Sequence, residues 1–280
     1  MADHFGAFSF VDRITGLTPG VRARGEFAVP AGLAAFPSCL VAEAVGQLAA
    51  WVAMARVEFR GRPVAALANE TRFHGDVAPG NVLGLAVEID SCDDEAVAYA
   101  GRATSGGALA IELLDCLAPM LPAAEFDSPE ELAARFELLR GPGAPPGRFH
   151  GVPMAQIVRG AGVAGESLAA VLHVPATAPF FADHFPRRPV YPATLLLDAQ
   201  IGLALQLATE APDRPAGTQA VPVRMTHVKI RSFTAPGEVL ALDARRASTG
   251  GGTGQVMLRA RLNDKTVATA RLEYAPRRVA

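Results

Sequence analysis

The stretch HFPRRPVYPATLLLDAQ, residues 184–200, sets a histidine at the head of a loop punctuated by Pro186, Pro189 and Pro192 and then an aspartate, Asp198, within an apolar run. A second carboxylate, Glu43, occupies a similar run, FPSCLVAEAVGQLAAWVAMA, far upstream. An imidazole titrates near pH 6.5 and can take a weakly acidic proton at neutral pH. A carboxyl on an apolar helix is expensive to bury, and such groups are candidates for giving protons or orienting water. The neighbours of Glu43 at i−3, i+1 and i+5 are Leu40, Ala44 and Leu48, which argues for burial on a helix. Gln47 lies one turn beyond it, where an i, i+4 neighbour can touch the acid. The residues thus point to general acid–base chemistry, His184 with one of the two acids, and no nucleotide or metal motif accompanies them.

The elements that must position these groups are written twice. The apolar helix at 36–55 matches YPATLLLDAQIGLALQLA at 191–208, APGNVLGLAVEI matches APGEVLALDARR, and the closing hairpins VAYAGRATSGGALAIELLDCLAP and VMLRARLNDKTVATARLEYAP read alike. The order helix, strand, Pro-Gly turn, strand, hairpin therefore recurs. The copies fall at roughly 8–122 and 154–277, giving an N-terminal domain at 1–122, a linker at 123–153 and a C-terminal domain at 154–280. Within the linker, DSPEELAARFELLRG predicts a short helix capped by Asp127 or Ser128. A helix that is apolar nearly all round must be surrounded, and the strands are what remains to surround it. The expected fold class is α+β, each repeat a curled antiparallel sheet around a central helix, with the two repeats joined edge to edge as a pseudo-twofold pair.

Composition narrows the function classes. The 280 residues carry 26 basic and 28 acidic side chains, with no long run of one sign, so a nucleic-acid partner is not expected. No apolar run is read as long enough to span a bilayer, and the N-terminus lacks a signal pattern, so no membrane partner and a cytoplasmic location are expected. Cys39, Cys92 and Cys116 show no metal-ligand spacing and read as reduced, mostly buried thiols. STGGGTG at 248–254 lacks the lysine of a phosphate loop and reads as a hairpin turn, and DHF at 3–5 as a chance echo of Asp183 to Phe185 in a mobile tail.

The His-Phe-Pro loop, its further prolines and a helix acid 14 positions after the histidine resemble the motif of the hot-dog-fold 3-hydroxyacyl-acyl-carrier-protein dehydratases. The opening FSFVDRITGLTPGVRARGEFAV, with its Val-Asp-Arg and Pro-Gly turn, is similar to the first strands of that family. An aspartate at the acid position looks like the dehydratase/isomerase branch. Arg187 and Ala193 stand where the family has glycines, and the histidine loop is missing from the first copy, where the position 14 before Glu43 is Val29.

The resemblance implies a double hot-dog in which the histidine of one unit faces the acid of the other. His184 should then work with Glu43 and Gln47, not with Asp198, whose mirror site would have no histidine and be degenerate or structural. Ala193 would offer its backbone N–H to the thioester oxygen at the start of the second helix, and Tyr191 would support the site. The implied reaction is loss of water from a 3-hydroxyacyl thioester carried on acyl carrier protein in fatty-acid or polyketide assembly, without a cofactor, and Arg187 and Arg188 are candidates for meeting the acidic carrier. Two alternatives stay open: a hot-dog thioesterase, and a non-catalytic protein that binds acyl chains or the carrier. Further oligomerisation is also open.

Overall fold

The computed structural model describes residues 5–153, 155–247 and 253–278. The N-terminal half runs β1 (Arg13–Thr18), β2 (Arg22–Ala28), α1 (Ser38–Arg56), β3 (Gly61–Pro63), β4 (Leu67–Phe73), β5 (Val82–Cys92), β6 (Ala96–Ser105) and β7 (Ala108–Pro122). A 3-10 turn, Ala123–Glu125, leads into α2 (Pro129–Arg140). The C-terminal half runs β8 (Gln156–Val163), β9 (Ser167–His173), a 3-10 turn at Pro179–Ala182, α3 (Ala193–Thr209), β10 (Thr218–Ile230), β11 (Val239–Ala247), β12 (Gly254–Leu262) and β13 (Lys265–Arg278).

All strands belong to one antiparallel sheet in the order β1-β2-β5-β6-β7-β4-β10-β13-β12-β11-β9-β8, with β3 pairing the end of β7. Alternation builds its inner face: Leu83, Leu85 and Val87 of β5 turn inward, as do Leu240, Leu242 and Ala244 of β11. Each half wraps one central helix, and a continuous core runs through both. The halves join where β4 pairs β10, Thr71 opposite Met225 and Ala68 opposite Val228. On the outer face of that seam, Glu70 bonds Arg72 and Arg224, and Arg224 bonds Glu273.

The Pro-Gly turns are equivalent in three dimensions. Gly80 and Gly237 adopt φ of +87° and +80°, and a Cβ on either would face an alanine, Ala31 or Ala176. Both turns need the left-handed conformation that glycine adopts without strain. At Gly101, by contrast, the constraint is contact: an added Cβ would lie 2.5 Å from Val45 Cγ1, so this glycine is what lets β6 close on α1.

Helix α1 corrects one expectation. Its 19 residues are long and apolar enough to cross a membrane by length and composition. In this fold the sheet wraps it, with Leu40, Val45, Leu48 and Val52 among its buried side chains. In α2, Ser128 is the cap, its Oγ accepting from Glu131 N at 3.3 Å. Asp127, the alternative cap, is instead fully buried and bonds Arg62. Residues 248–252 of the glycine-rich turn, and Asp3 and His4 of the N-terminal echo, lie outside the described residues. Phe5, the last residue of that echo, is not loose: its N–H donates to Asp183 Oδ1 at 2.6 Å.

Candidate active site

His184 and Glu43 open into one cavity of about 200 Å³ between the halves. Gln47, Tyr191, Ala193 and Thr194 line the same space, whereas Asp198 does not.

His184 follows the 3-10 turn at Pro179–Ala182, and its N–H donates to Phe180 O at 2.8 Å. Its Nδ1 lies 2.8 Å from Val190 O. A carbonyl can only accept, so Nδ1 carries the hydrogen and the Nε2 lone pair is left to act as a base. Burial lowers the imidazole pKa below its ordinary value, opposed by the charge of Glu43 and by the Val190 bond, while the Arg62 cation adds to the lowering. The ring is wedged between Phe8, edge-on at 5.6 Å, and Phe185, stacked at 4.1 Å. The preceding residue anchors the loop. Asp183, 6% exposed, accepts from the amides of Phe5 and Phe8, at 2.6 and 2.7 Å.

Glu43 sits on the second turn of α1, half-buried. Gln47 Nε2 donates to Glu43 Oε1 at 3.0 Å and to Phe8 O at 2.9 Å, and Gln47 Oε1 accepts from Phe10 N at 2.8 Å. The glutamine thus ties the acid to the N-terminal segment that also receives Asp183. On its other oxygen, Oε2, Glu43 accepts from Thr194 Oγ1 at 2.8 Å.

The second acid has a different setting. Asp198 is raised above its ordinary pKa by burial, with a hydrogen bond to Cys39 acting against this, and the Cys39 thiol is pushed far up by burial and by Asp198. Cys39 and Thr194 are each the second residue of their helix, so the two acids receive matching cross-helix partners. Where the first repeat lacks the histidine loop, Phe149 of the segment before β8 packs on Phe10 and Phe36, at 5.0 and 6.1 Å between ring centres.

Ala193 opens α3, and amides in a helix's first turn have no intrahelical acceptor and point at incoming negative charge. Tyr191 is buried, its N–H donates to Thr234 O at 2.8 Å, and burial raises its hydroxyl pKa. Ala42, Gly46 and Ala50 of α1, one residue per turn, line the same cavity beside Glu43 and Gln47. At the matching positions α3 carries Leu197, Ile201 and Leu205. Eight residues of helix correspond to about 12 Å of bore. Arg187 and Arg188 are engaged by the turn after β7: Arg187 Nη1 donates to Ala124 O at 3.0 Å and Arg188 Nη1 to Glu125 Oε2 at 3.1 Å.

Three of these groups were not singled out for chemistry in the sequence. Thr194 bears no spacing signal except its match to Cys39. Arg62 and Asp183 act through contacts about 65 and 175 residues away, which no local pattern encodes.

Residues 154–271 match the model of the FabA-like domain. A 3-hydroxyacyl-(acyl-carrier-protein) dehydratase FabZ from Albidiferax ferrireducens is 32% identical over 118 residues, 41% of this chain and 79% of the relative. The chain belongs to the FabA-like hot-dog dehydratase family. Among solved structures, a hot-dog protein of unknown function from Alicyclobacillus acidocaldarius aligns with a TM-score of 0.54 at 13% identity, covering 99% of this chain and 98% of the other. An acyl-CoA thioesterase II, TesB2, from Mycobacterium marinum aligns at 0.53 and 15%, covering 95% and 96%. These likenesses establish the hot-dog fold. The FabA-like segment contains His184 and Asp198, whereas Glu43, the acid that shares the cavity with His184, lies outside it.

Proposed function

We propose that this chain dehydrates 3-hydroxyacyl thioesters presented on an acyl carrier protein, with His184 and Glu43 as its acid–base pair. The observation that carries the reading is the shared cavity: an imidazole with a free Nε2 and a carboxyl held by Gln47 and Thr194 open into one apolar bore. The dehydratase relatives support the substrate class.

In this mechanism, His184 Nε2 removes a proton from C2 of the acyl chain. Negative charge builds on the thioester oxygen, where the Ala193 N–H donates to it. The electron pair then forms the C2=C3 double bond as the C3–O bond breaks, and the hydroxyl leaves as water with a proton delivered from the Glu43 carboxyl. Transfer of the imidazolium proton back to Glu43 through solvent resets the pair. Each proton-transfer group is expected to contribute on the order of 10² to 10⁴ in rate.

The test uses a 3-hydroxyacyl pantetheine thioester. Formation of the conjugated enoyl thioester, seen by its ultraviolet absorbance, is the expected result. Release of free thiol without enoyl product would instead make the protein a thioesterase, and tight carrier binding with no turnover would make it a binding protein.

A further inference from the structure

Beside His184, a buried ion pair joins the N-terminal half to the linker. Arg62, on β3, bonds the carboxylate of Asp127, which is fully buried. The same guanidinium lies over the ring of Phe185, 4.3 Å from its centre, and Phe185 directly follows His184. The chain around Asp127 grips the rest of the loop. Phe126 packs edge-on against Phe185 at 5.2 Å, and Arg187 N–H donates to Phe126 O at 3.0 Å. None of these gripping groups belongs to the repeat that carries His184.

Burying two opposite charges seldom stabilises a protein more than apolar side chains of the same volume, because both ions lose their hydration. A pair kept in such a place calls for a purpose other than stability. We propose that Arg62 is a positioning residue for His184, held by Asp127 and stacked on Phe185 so that the N-terminal half fixes where the imidazole of the C-terminal half points. The assignment depends on the dehydratase reading only for the reaction it serves.

The clamp also has an electrostatic consequence. The ionisable groups around His184 are Glu43 from α1, Arg62 from β3 and Asp183 in its own segment, with Asp127 acting through Arg62. Glu43, in its ionised form, favours the imidazolium, whereas Arg62 opposes a second positive charge nearby and so works with burial to keep the ring neutral. A neutral imidazole is the form able to take a proton. Asp183 spends its carboxylate on the Phe5 and Phe8 amides.

The experiment follows the His184 ring directly, by NMR titration of histidine-labelled protein, the signal assigned from its loss in His184→Gln. Wild type is compared with Arg62→Gln, Arg62→Lys and the double variant Arg62→Gln/Asp127→Asn. Loss of the cation in Arg62→Gln should move the His184 midpoint up by about one pH unit. In the double variant, where Asp127 no longer adds its own charge, the midpoint should remain above wild type. Arg62→Lys keeps the charge and should return the midpoint toward wild type. It should still lose turnover about tenfold, because an ammonium cannot reproduce the planar stack on Phe185. The acid limb of the rate profile should move with the titration. A midpoint that stays at the wild-type value in both folded charge-removing variants overturns the assignment, as does undiminished turnover in them. If Arg62→Gln does not fold, the double variant, with no stranded carboxylate, decides alone. Should wild type itself form no enoyl product, the dehydratase reading falls while the titration still settles the clamp.

Discussion

Thr194 and Glu43 come from opposite halves of the chain and meet at 2.8 Å, the threonine hydroxyl donating to Oε2 of the acid. With Gln47 on Oε1, this bond fixes the carboxyl in the cavity that His184 enters. Removing the hydroxyl in Thr194→Val should leave the fold intact and lower kcat for dehydration on the order of tenfold, while Thr194→Ser stays within about threefold of wild type. Steady-state kinetics on the pantetheine thioester check both. A KM effect alone would contradict a role for the bond in orienting the acid.

His184→Ala and Glu43→Gln should each cost at least about 10² in kcat. Asp198→Asn should cost less than about threefold, because Asp198 faces Cys39 rather than the cavity. Equal losses at Glu43 and Asp198 would argue against a single working site, and a loss at Asp198 alone would move the chemistry to the other helix.

Chain-length preference should depend on α1. A Cβ at Gly46 would rest 3.5 Å from the Tyr99 hydroxyl, so Gly46→Ala is accommodated, whereas the longer side chain of Gly46→Leu reaches into the bore. Gly46→Leu should lower kcat/KM for a 3-hydroxydecanoyl substrate at least about tenfold relative to 3-hydroxybutyryl. Unchanged discrimination would place the acyl chain elsewhere.

The stability of the protein should fall as pH rises through the titration of Asp12. Burial is the main cause that raises this carboxyl from 3.8 to about 6, opposed by its bond from Ala28 N at 2.8 Å and by the charge of Arg135. Between those two pH values the folded state holds a proton that the unfolded state has lost. Raising the pH therefore favours unfolding until the folded carboxyl has ionised. Asp12→Asn can keep an oxygen for Ala28 N and should raise stability above pH 7 by roughly 1 kcal/mol, allowing for partial solvent screening. The same substitution should flatten the dependence between pH 4 and 6. Thermal melts across that range measure it.

The repeated order of elements, the wrapped helices and the linker helix could all be read from the sequence, because periodicity and Pro-Gly turns are local signals. The bond between Gln47 and Glu43 was also legible, since an i, i+4 spacing is a distance in disguise. The pairing of His184 with Glu43 came from the family resemblance, not from spacing. What stayed hidden was anything decided by which surfaces meet. Thr194 against Glu43, Cys39 against Asp198 and Arg62 against Phe185 all depend on how the halves close on each other. Membrane-scale apolar length in α1 misleads for the same reason: the composition of a core helix says what it avoids, not what covers it.

The chain from β7 through α2 to β8 makes both halves a single covalent molecule, and the sheet runs continuously between them through β4 and β10. Dilution cannot take the His184–Glu43 cavity apart, as it can when two identical subunits share a site. Joining the halves also frees them from identity. A substitution in a symmetric dimer must suit both copies at once, but here glycine at 46 lines the cavity while its counterpart in α3 is isoleucine at 201, and each half has room to specialise.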